Sequence, residues 1–463
     1  MKIYNTLSQK KETFTPLQKG NVGMYVCGPT VYDVGHLGHA RSAVSFDIIR
    51  RYFLYKGFQV TFVSNITDVD DKMIKRSALE HITEAQLAAK IIPEYEKDYG
   101  ALQVLGPDHQ PRATQYISQM VSFIEHLMEN GAAYQTEDGV YFEVSKFKGY
   151  GKLSHKNLEE LRAGARIAVD EKKKNPEDFA LWKKEKPGEP AWKGPLGMQG
   201  RPGWHIECSA MGMDLLGETF DIHGGGIDLQ FPHHENEIAQ SEMATKKPFA
   251  RYWLHNGHIQ VNKEKMSKSL GNFFTIKEIL AKYHPAVVRY FLLSTHYRMP
   301  IDFSDDLLEQ AKAGLARLKD CYAAILRITE KNNHDGELFD IEPFIVVAKR
   351  DFEAAMDDDF EISRALAALF DLVAEVNRRM KQEELGSSQA RKVLHFFDQV
   401  DSVLAILKFE DTLDAEVQRL IDERNEARRK KDFKRSDEIR RELEKRGILL
   451  EDTKDGTLWK KAL

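Results

Sequence analysis

The chain is poor in cysteine, in long apolar runs and in charge of one sign. Only three cysteines occur in its 463 residues, Cys27, Cys208 and Cys321. So sparse and odd a set does not build a disulfide framework, which raises the weight of metal or catalytic roles. No stretch approaches the roughly 18 apolar residues that cross a bilayer. The polar start, Met1 to Phe14, has no apolar run of the signal-peptide kind. The cytoplasm is therefore the expected compartment, with no membrane partner. A formal charge of only -5 means that the surface as a whole does not attract polyanions. Any nucleic-acid contact must come from local basic patches. P-loop and GxGxxG patterns, internal repeats and low-complexity tracts are all missing, which removes several common nucleotide-binding folds.

What is present is a chain too long for one ordinary core, so two to four domains are expected. The first seventy residues read as strand, helix, strand. Met24-Tyr25-Val26-Cys27 is an apolar strand stopped by Gly28-Pro29. Ala40, Ala43, Val44, Ile48 and Tyr52 recur at helical spacing, Gly57 ends the helix, and Val60-Thr61-Phe62-Val63 is the next strand. Such a parallel crossover is the unit of a doubly wound α/β sheet. From about Ala113 short strands mix with Pro, Gly and Lys, as an inserted module would, and α/β character returns at Gly203. Pro232 sits where a helix could begin. From Pro285 to about Leu407 the pattern is helical, and the last fifty residues are densely charged in both signs.

Two motifs suit phosphate chemistry. His36-Leu37-Gly38-His39 lies between a strand and a helix start, where backbone N–H groups and the positive dipole end favour an anion. Gly38 would let a nucleotide approach, and the flanking histidines could donate to phosphoryl oxygens. A polar loop with incidental histidines explains the tetrapeptide about equally well. Lys265-Met266-Ser267-Lys268-Ser269 places two lysines around a hydroxyl on a Gly-bounded loop, which suits a clamp on a triphosphate. A solvated charged loop is the plainer reading of that pentamer taken alone.

Four scattered residues suit a metal. Cys27 ends the first strand, Cys208 follows Trp204-His205-Ile206-Glu207, and His233 and Glu237 are four apart, on one face if the segment is helical. Two thiolates, an imidazole and a carboxylate are an acceptable zinc shell. Two buried free cysteines beside a charged helix would account for the same residues, and His234 competes with His233. His223-Gly224-Gly225-Gly226 has no GxSxG partner and reads as a Gly-rich turn against a nucleotide. Asp68-Val69-Asp70-Asp71 lacks calcium-loop spacing and reads as a helix N-terminal cluster. Cys321 sits among Leu315, Leu318, Ala323 and Leu326 as a core residue, and Lys172-Lys173-Lys174 as a solvated run.

HLGH and KMSKS, in that order and on either side of an insertion, resemble the paired signatures of the class I aminoacyl-tRNA synthetases, with Leu37 in place of Ile. CGPTVYD, GWHIECSAM, HGGGIDLQFPHHENE and KMSKSLGNFF resemble the cysteinyl-tRNA synthetases, and the likeness runs over essentially the whole chain. The resemblance implies ATP-dependent ligation of L-cysteine to tRNA(Cys) through a cysteinyl-adenylate. It implies one zinc on Cys27, Cys208, His233 and Glu237 that takes the substrate thiolate. It further implies catalytic roles for His36, His39, Lys265 and Lys268, with Gly38 and Lys268 at ATP and magnesium alongside. Thr30, Thr67, Trp204 and Asp228 would then surround the amino acid's charged ends. The family often continues Asp-Asp-Asp-Phe with Asn-Thr, where this chain has Glu361-Ile362, and no role is carried over there.

The implied fold class is α/β: a Rossmann-type doubly wound catalytic domain in two halves, 1–112 and 201–262, around an inserted connective module, 113–200. A KMSKS-bearing connector, 263–315, an all-α bundle contacting tRNA, 316–407, and an anticodon-binding module, 408–463, would follow. A monomer is expected. Cations from Arg424 through Arg428, Arg429, Lys430 and Lys431, with Trp459, suit phosphate contact and base stacking. Two rivals remain: the cysteine ligase of mycothiol biosynthesis, which needs no anticodon-reading tail, and a non-catalytic zinc-dependent RNA-binding protein, which needs neither HLGH nor KMSKS.

Overall fold

The computed structural model of the chain describes residues 1–156, 173–261, 264–266, 273–330, 339–409, 415–446, 448–453 and 456–461. At its centre is a four-stranded parallel sheet. β1 (Asn21–Val26) leads through α1 (Leu37–Tyr55) to β2 (Gln59–Val63), the crossover expected from the sequence. Far along the chain, α2 (Trp204–Leu216), β3 (Phe220–Gly226), α3 (Glu235–Thr245) and β4 (Ala250–Asn256) complete it. The spatial order is β4-β3-β1-β2. Strand order therefore reverses between β1 and β3, and in open α/β sheets ligands sit beyond the carboxyl ends at such a switch point. Met24, Tyr25 and Ile222 on the inner strands and Leu254 on the edge strand β4 are fully buried, as strands of a parallel sheet covered on both faces must be.

The expected Gly-rich turn at His223-Gly224-Gly225-Gly226 is instead the second half of β3. Its glycines serve packing: a Cβ on Gly224 would lie 2.3 Å from the Phe46 ring of α1. The helix expected from Pro232 begins later, at Glu235. Phe231 is extended (φ -140°, ψ 132°), the conformation favoured before proline. His233 consequently lies in the turn ahead of α3 and Glu237 in its first turn.

Between the two halves of the sheet lies an antiparallel five-stranded sheet that includes Gly139–Phe142, Phe179–Lys184 and Gln199–Pro202. After β4 come the strand Glu264–Lys265, the helix Pro285–Leu293 and four long helices, Asp305–Glu330, Glu342–Met356, Ile362–Lys381 and Ser387–Leu404. Two further helices, Ala415–Arg429 and Phe433–Lys445, precede the hairpin Ile448–Thr453 with Gly456–Lys461. Among the described residues, no helix is long and apolar enough to cross a membrane.

Buried cations tie α1 to the carboxyl-terminal helices. Arg289 meets Asp47 of α1 at 2.5 Å and donates to the carbonyls of Leu102 and Leu404. Arg41 donates to the carbonyls of Leu292, Thr295 and His296, at the end of Pro285–Leu293. Both guanidiniums are almost wholly buried, where losing a partner costs far more than at the surface. Their connections tie both the first turns and the middle of α1 to the helices that follow the sheet.

Candidate active site and metal centre

One cavity of about 720 Å³ opens at the carboxyl ends of β1 and β3, within the range of roughly 300–1,000 Å³ usual for small-molecule sites. Cys27, Thr30, His36, Gly38, His39, Trp204, Asp228 and Lys265 line it. Residues more than two hundred positions apart thus face the same space.

At one end four side chains converge. Cys27 follows β1, Cys208 lies in the second turn of α2, and His233 and Glu237 flank the start of α3. Their ligand atoms all lie within 4.8 Å of one another. Cys27 Sγ is 3.6 Å from Cys208 Sγ and 3.6 Å from a Glu237 carboxylate oxygen, and His233 Nε2 is 3.1 Å from that same oxygen. Tetrahedral edges built on zinc bond lengths are ~3.3 to 3.8 Å, so both edges from Cys27 already stand at coordination spacing and the His233–Glu237 edge is slightly shorter. A second set, Cys27, His223, His234 and Glu237, also converges. Its edges are less even: His234 Nε2 lies 3.3 Å from Cys27 Sγ and 4.0 Å from Glu237, and His223 Nε2 lies 2.8 Å from the other Glu237 oxygen. The last distance is that of a hydrogen bond, which would orient the carboxylate as outer-shell partners of metal ligands do.

The electrostatics call for a cation. Burial pushes the Cys27 thiol well up, helped by Cys208 and Glu237, and pushes the Cys208 thiol up. Burial likewise pushes His233 and His234 well down, with neighbouring imidazoles adding to it. The ion pairs of Glu237 are all with histidines. Thiols, neutral imidazoles and a buried carboxylate form a mixed sulfur, nitrogen and oxygen donor set that a divalent metal would bring into its deprotonated, ligating state. The residues present fit zinc.

Around this cluster lie residues whose part was not apparent in the sequence. His205 Nδ1 is 2.9 Å from His233 Nδ1, and His255 Nε2 is 2.9 Å from His234 Nδ1. Asn65 Oδ1 accepts from the Gly28 N–H and lies 3.7 Å from Cys208 Sγ. The only hint was the His233-His234 doublet. Trp204 stacks on the His233 ring at 4.1 Å. Thr67 is buried behind Thr30, its backbone bridged to it, and its hydroxyl donates to Glu207 at 2.7 Å.

At the other end, His36 is the N-cap of α1. It and His39 form a reciprocal capping box, with ring-to-backbone contacts of 3.2 and 3.3 Å and stacked rings 3.7 Å apart. A Cβ on Gly38 would lie 2.9 Å from the His36 ring, so glycine here makes room for the imidazole itself. Two backbone amides expected to face a phosphate are committed elsewhere. The Leu37 N–H goes to the Phe274 carbonyl and the His39 N–H to the His36 ring. Neither of these two amides is therefore available to an anion at this corner. Lys265 Nζ reaches 3.6 Å from Asp228 across the mouth. Lys268 lies outside the described residues.

Other expectations divide. Asp70 caps the helix Asp71–Glu80 and Asp68 accepts from Thr114, so the acidic run is structural. Cys321 is buried in the bundle with Leu315 and Leu318, although Leu326 is exposed. Lys174 sits 4.3 Å from the Tyr134 ring centre and pairs with Glu143, while Lys172 lies outside the described residues. Arg424 is buried and donates to Thr457, so it is no surface contact for a phosphate. Arg428, Arg429, Lys430 and Lys431 are exposed. The Trp459 side chain is outside the described part.

Comparison with known proteins decides the family. The description "tRNA synthetases class I (C) catalytic domain" matches residues 13–313, "DALR domain" matches 351–408, and "Cysteinyl-tRNA ligase anticodon binding domain" matches 410–459. The chain is 51% identical to the cysteine–tRNA ligase of Geobacter sulfurreducens, over 99% of both chains. It is 51% identical to that of Carboxydothermus hydrogenoformans, over the full length of both. The chain belongs to the cysteine–tRNA ligase family. Its fold is shared more widely: Mycobacterium tuberculosis methionyl-tRNA synthetase in complex with methionyl-adenylate superposes with a TM-score of 0.63. That match covers 83% of this chain and 89% of the other at 16% identity.

Proposed function

We propose that this chain carries out its family's reaction, the ATP-dependent ligation of L-cysteine to tRNA(Cys) through a cysteinyl-adenylate, with the two ends of the cavity dividing the work. The observation that carries this is the meeting of Cys27, Cys208, His233 and Glu237 in the same cavity as the stacked His36 and His39.

At the buried end the four side chains hold zinc, His233 being preferred to His234 for the more regular spacing of its set. When bound, zinc supplies a soft Lewis acid that takes a thiolate and offers a serine hydroxyl no comparable bond. A pocket relying on shape alone separates such near-isosteres only modestly. Trp204, stacked on His233, forms part of the cavity wall beside the cluster. Thr30 and Asp228 stand on the cavity wall where the carboxylate and ammonium of an amino acid need a donor and an acceptor. Thr67 acts from behind Thr30.

At the open end the amino acid's carboxylate attacks the α-phosphate of ATP, and pyrophosphate leaves. His36 and His39 stabilise charge on the phosphoryl oxygens, and Lys265 and Lys268 hold the departing pyrophosphate, with magnesium accompanying the nucleotide. A hydroxyl of the tRNA's terminal ribose then attacks the acyl carbon, forming the ester, and AMP leaves. The exposed Arg428–Lys431 run contacts the phosphates of the anticodon stem. The carboxyl-terminal match to an anticodon-binding domain favours a tRNA acceptor over an amino sugar. We further propose the domain division given above, a cytoplasmic location and a monomeric enzyme.

Cysteine-dependent exchange of labelled pyrophosphate into ATP, followed by charging of a tRNA(Cys) transcript, tests this. Exchange with charging is expected. Exchange without charging would point to another acceptor, and no exchange by metal-loaded protein would refute the reading.

A further inference from the structure

Three segments from distant parts of the chain form the amino-acid end of the cavity: 27–32, 64–72 and 204–208. The first two are joined by backbone pairing, since Val31 N–H donates to the Thr67 carbonyl and Thr67 N–H to that of Pro29. The third arrives from the inserted sheet. The strand Gln199–Pro202 pairs with Phe179–Lys184, placing Arg201 opposite Lys183, and runs straight into Trp204. The corner has little play: Gly203 N–H donates to the Leu181 carbonyl, and a Cβ on Gly203 would lie 2.0 Å from the Ala180 carbonyl oxygen.

One carboxylate ties that third segment to the second. Asp71, the first residue of Asp71–Glu80, receives Arg201 Nη2 at 2.5 Å on one oxygen and Lys183 Nζ at 2.7 Å on the other. The Arg201 side chain is only 4% exposed and is held on its far side by Glu189 at 3.0 Å. Opposite charges this close hold the Asp71 carboxyl down to about 2 against the cost of its partial burial. The neighbouring Lys72 lines the cavity and sits 5.3 Å from the Tyr32 ring centre. Thr67, four residues before Asp71, is bonded to Glu207, three residues after Trp204. The two segments therefore meet at two points, one fully buried behind the cavity wall and one half-exposed.

We propose that Asp71 and Arg201 form a latch that sets the separation of the Thr67 and Trp204 segments, so that an ion pair outside the cavity governs affinity for the amino acid. Both are positioning residues. The inference rests on the amino-acid activation proposed above. It predicts that the inserted sheet, through Arg201 and its neighbour Lys183, acts on amino-acid binding.

The test is pyrophosphate exchange by the full-length, metal-loaded protein. Asp71→Asn removes the charge with little change of volume at a half-exposed site. It should raise KM for cysteine about fivefold, the scale of a lost charge-assisted contact, with KM for ATP and kcat within about twofold of the parent. Asp71→Glu, which keeps the charge, should recover most of the loss, and metal content should match the parent in both. A KM for cysteine unchanged in Asp71→Asn would overturn the latch. So would equal changes in the KM for cysteine and for ATP, which would indicate general loosening. Absence of exchange in the parent would instead refute the activation reading, so the two failures are distinguishable.

Discussion

The two ends of the cavity are built in opposite ways. The phosphate corner is a contiguous tetrapeptide at one helix start, and its two histidines hold each other through a capping box. The metal cluster draws on four elements, with ligands separated by up to 210 positions and backed by further histidines. A contiguous corner can be damaged locally. A cluster assembled by the fold fails as a whole when one member is lost, because the remaining buried donors keep their desolvation cost without the cation that offset it.

The sharpest break between the two should come from Cys208→Ser. It should lower bound zinc and cysteine-dependent exchange together, by at least ~100-fold in kcat/KM, measured by metal analysis beside exchange. Retained activity at zero metal would refute the ligand assignment. Next in size, His39→Ala or His36→Ala should lower kcat for adenylate formation by about 10² to 10³, as loss of a transition-state donor does, at full metal content. Loss of metal in these variants would show that the two ends are not separate. His223→Gln removes the histidine at 2.8 Å from Glu237 without touching the preferred ligand set. It should weaken zinc affinity by about 10- to 100-fold, read in a chelator competition. An unchanged affinity would leave His223 a packing residue.

The smallest effect concerns stability at the phosphate corner alone. Asp98 packs near Gly35, and burial followed by Glu94 raises its carboxyl from 3.8 to about 6. A carboxyl whose folded value lies above its unfolded one loses stability as pH rises through that window. Asp98→Asn should therefore raise Tm slightly at pH 7 to 8, and the gain should vanish below about pH 4. A gain that grows on acidification would contradict the assignment.

How much could be read beforehand follows the same division. The β1–α1–β2 unit was legible because its apolar residues recur at strand and helix periods, and HLGH because it is contiguous. The proposed metal ligands were nameable only through the family resemblance, since no spacing rule joins Cys27 to Glu237 across a folded sheet. His223 and its glycines were misread as a turn: three glycines signal a turn locally, whereas the close approach of Phe46 that requires Gly224 is a tertiary fact. Arg424 looked like a phosphate contact because composition does not reveal that it is buried against Thr457. The Asp71–Arg201 pair left no trace, as Asp71 ends an ordinary acidic run and no spacing rule joins it to a lone arginine 130 positions away.

The central claim is that a metal held by the scattered cluster reads the sulfur of the substrate. It is tested most directly by pyrophosphate exchange with cysteine and with serine, in protein as purified, stripped by chelator and reloaded with zinc. Exchange should be seen with cysteine and not with equimolar serine, disappear on stripping and return with zinc. Cysteine-dependent exchange persisting in the stripped protein, or serine serving as well as cysteine, would contradict the account.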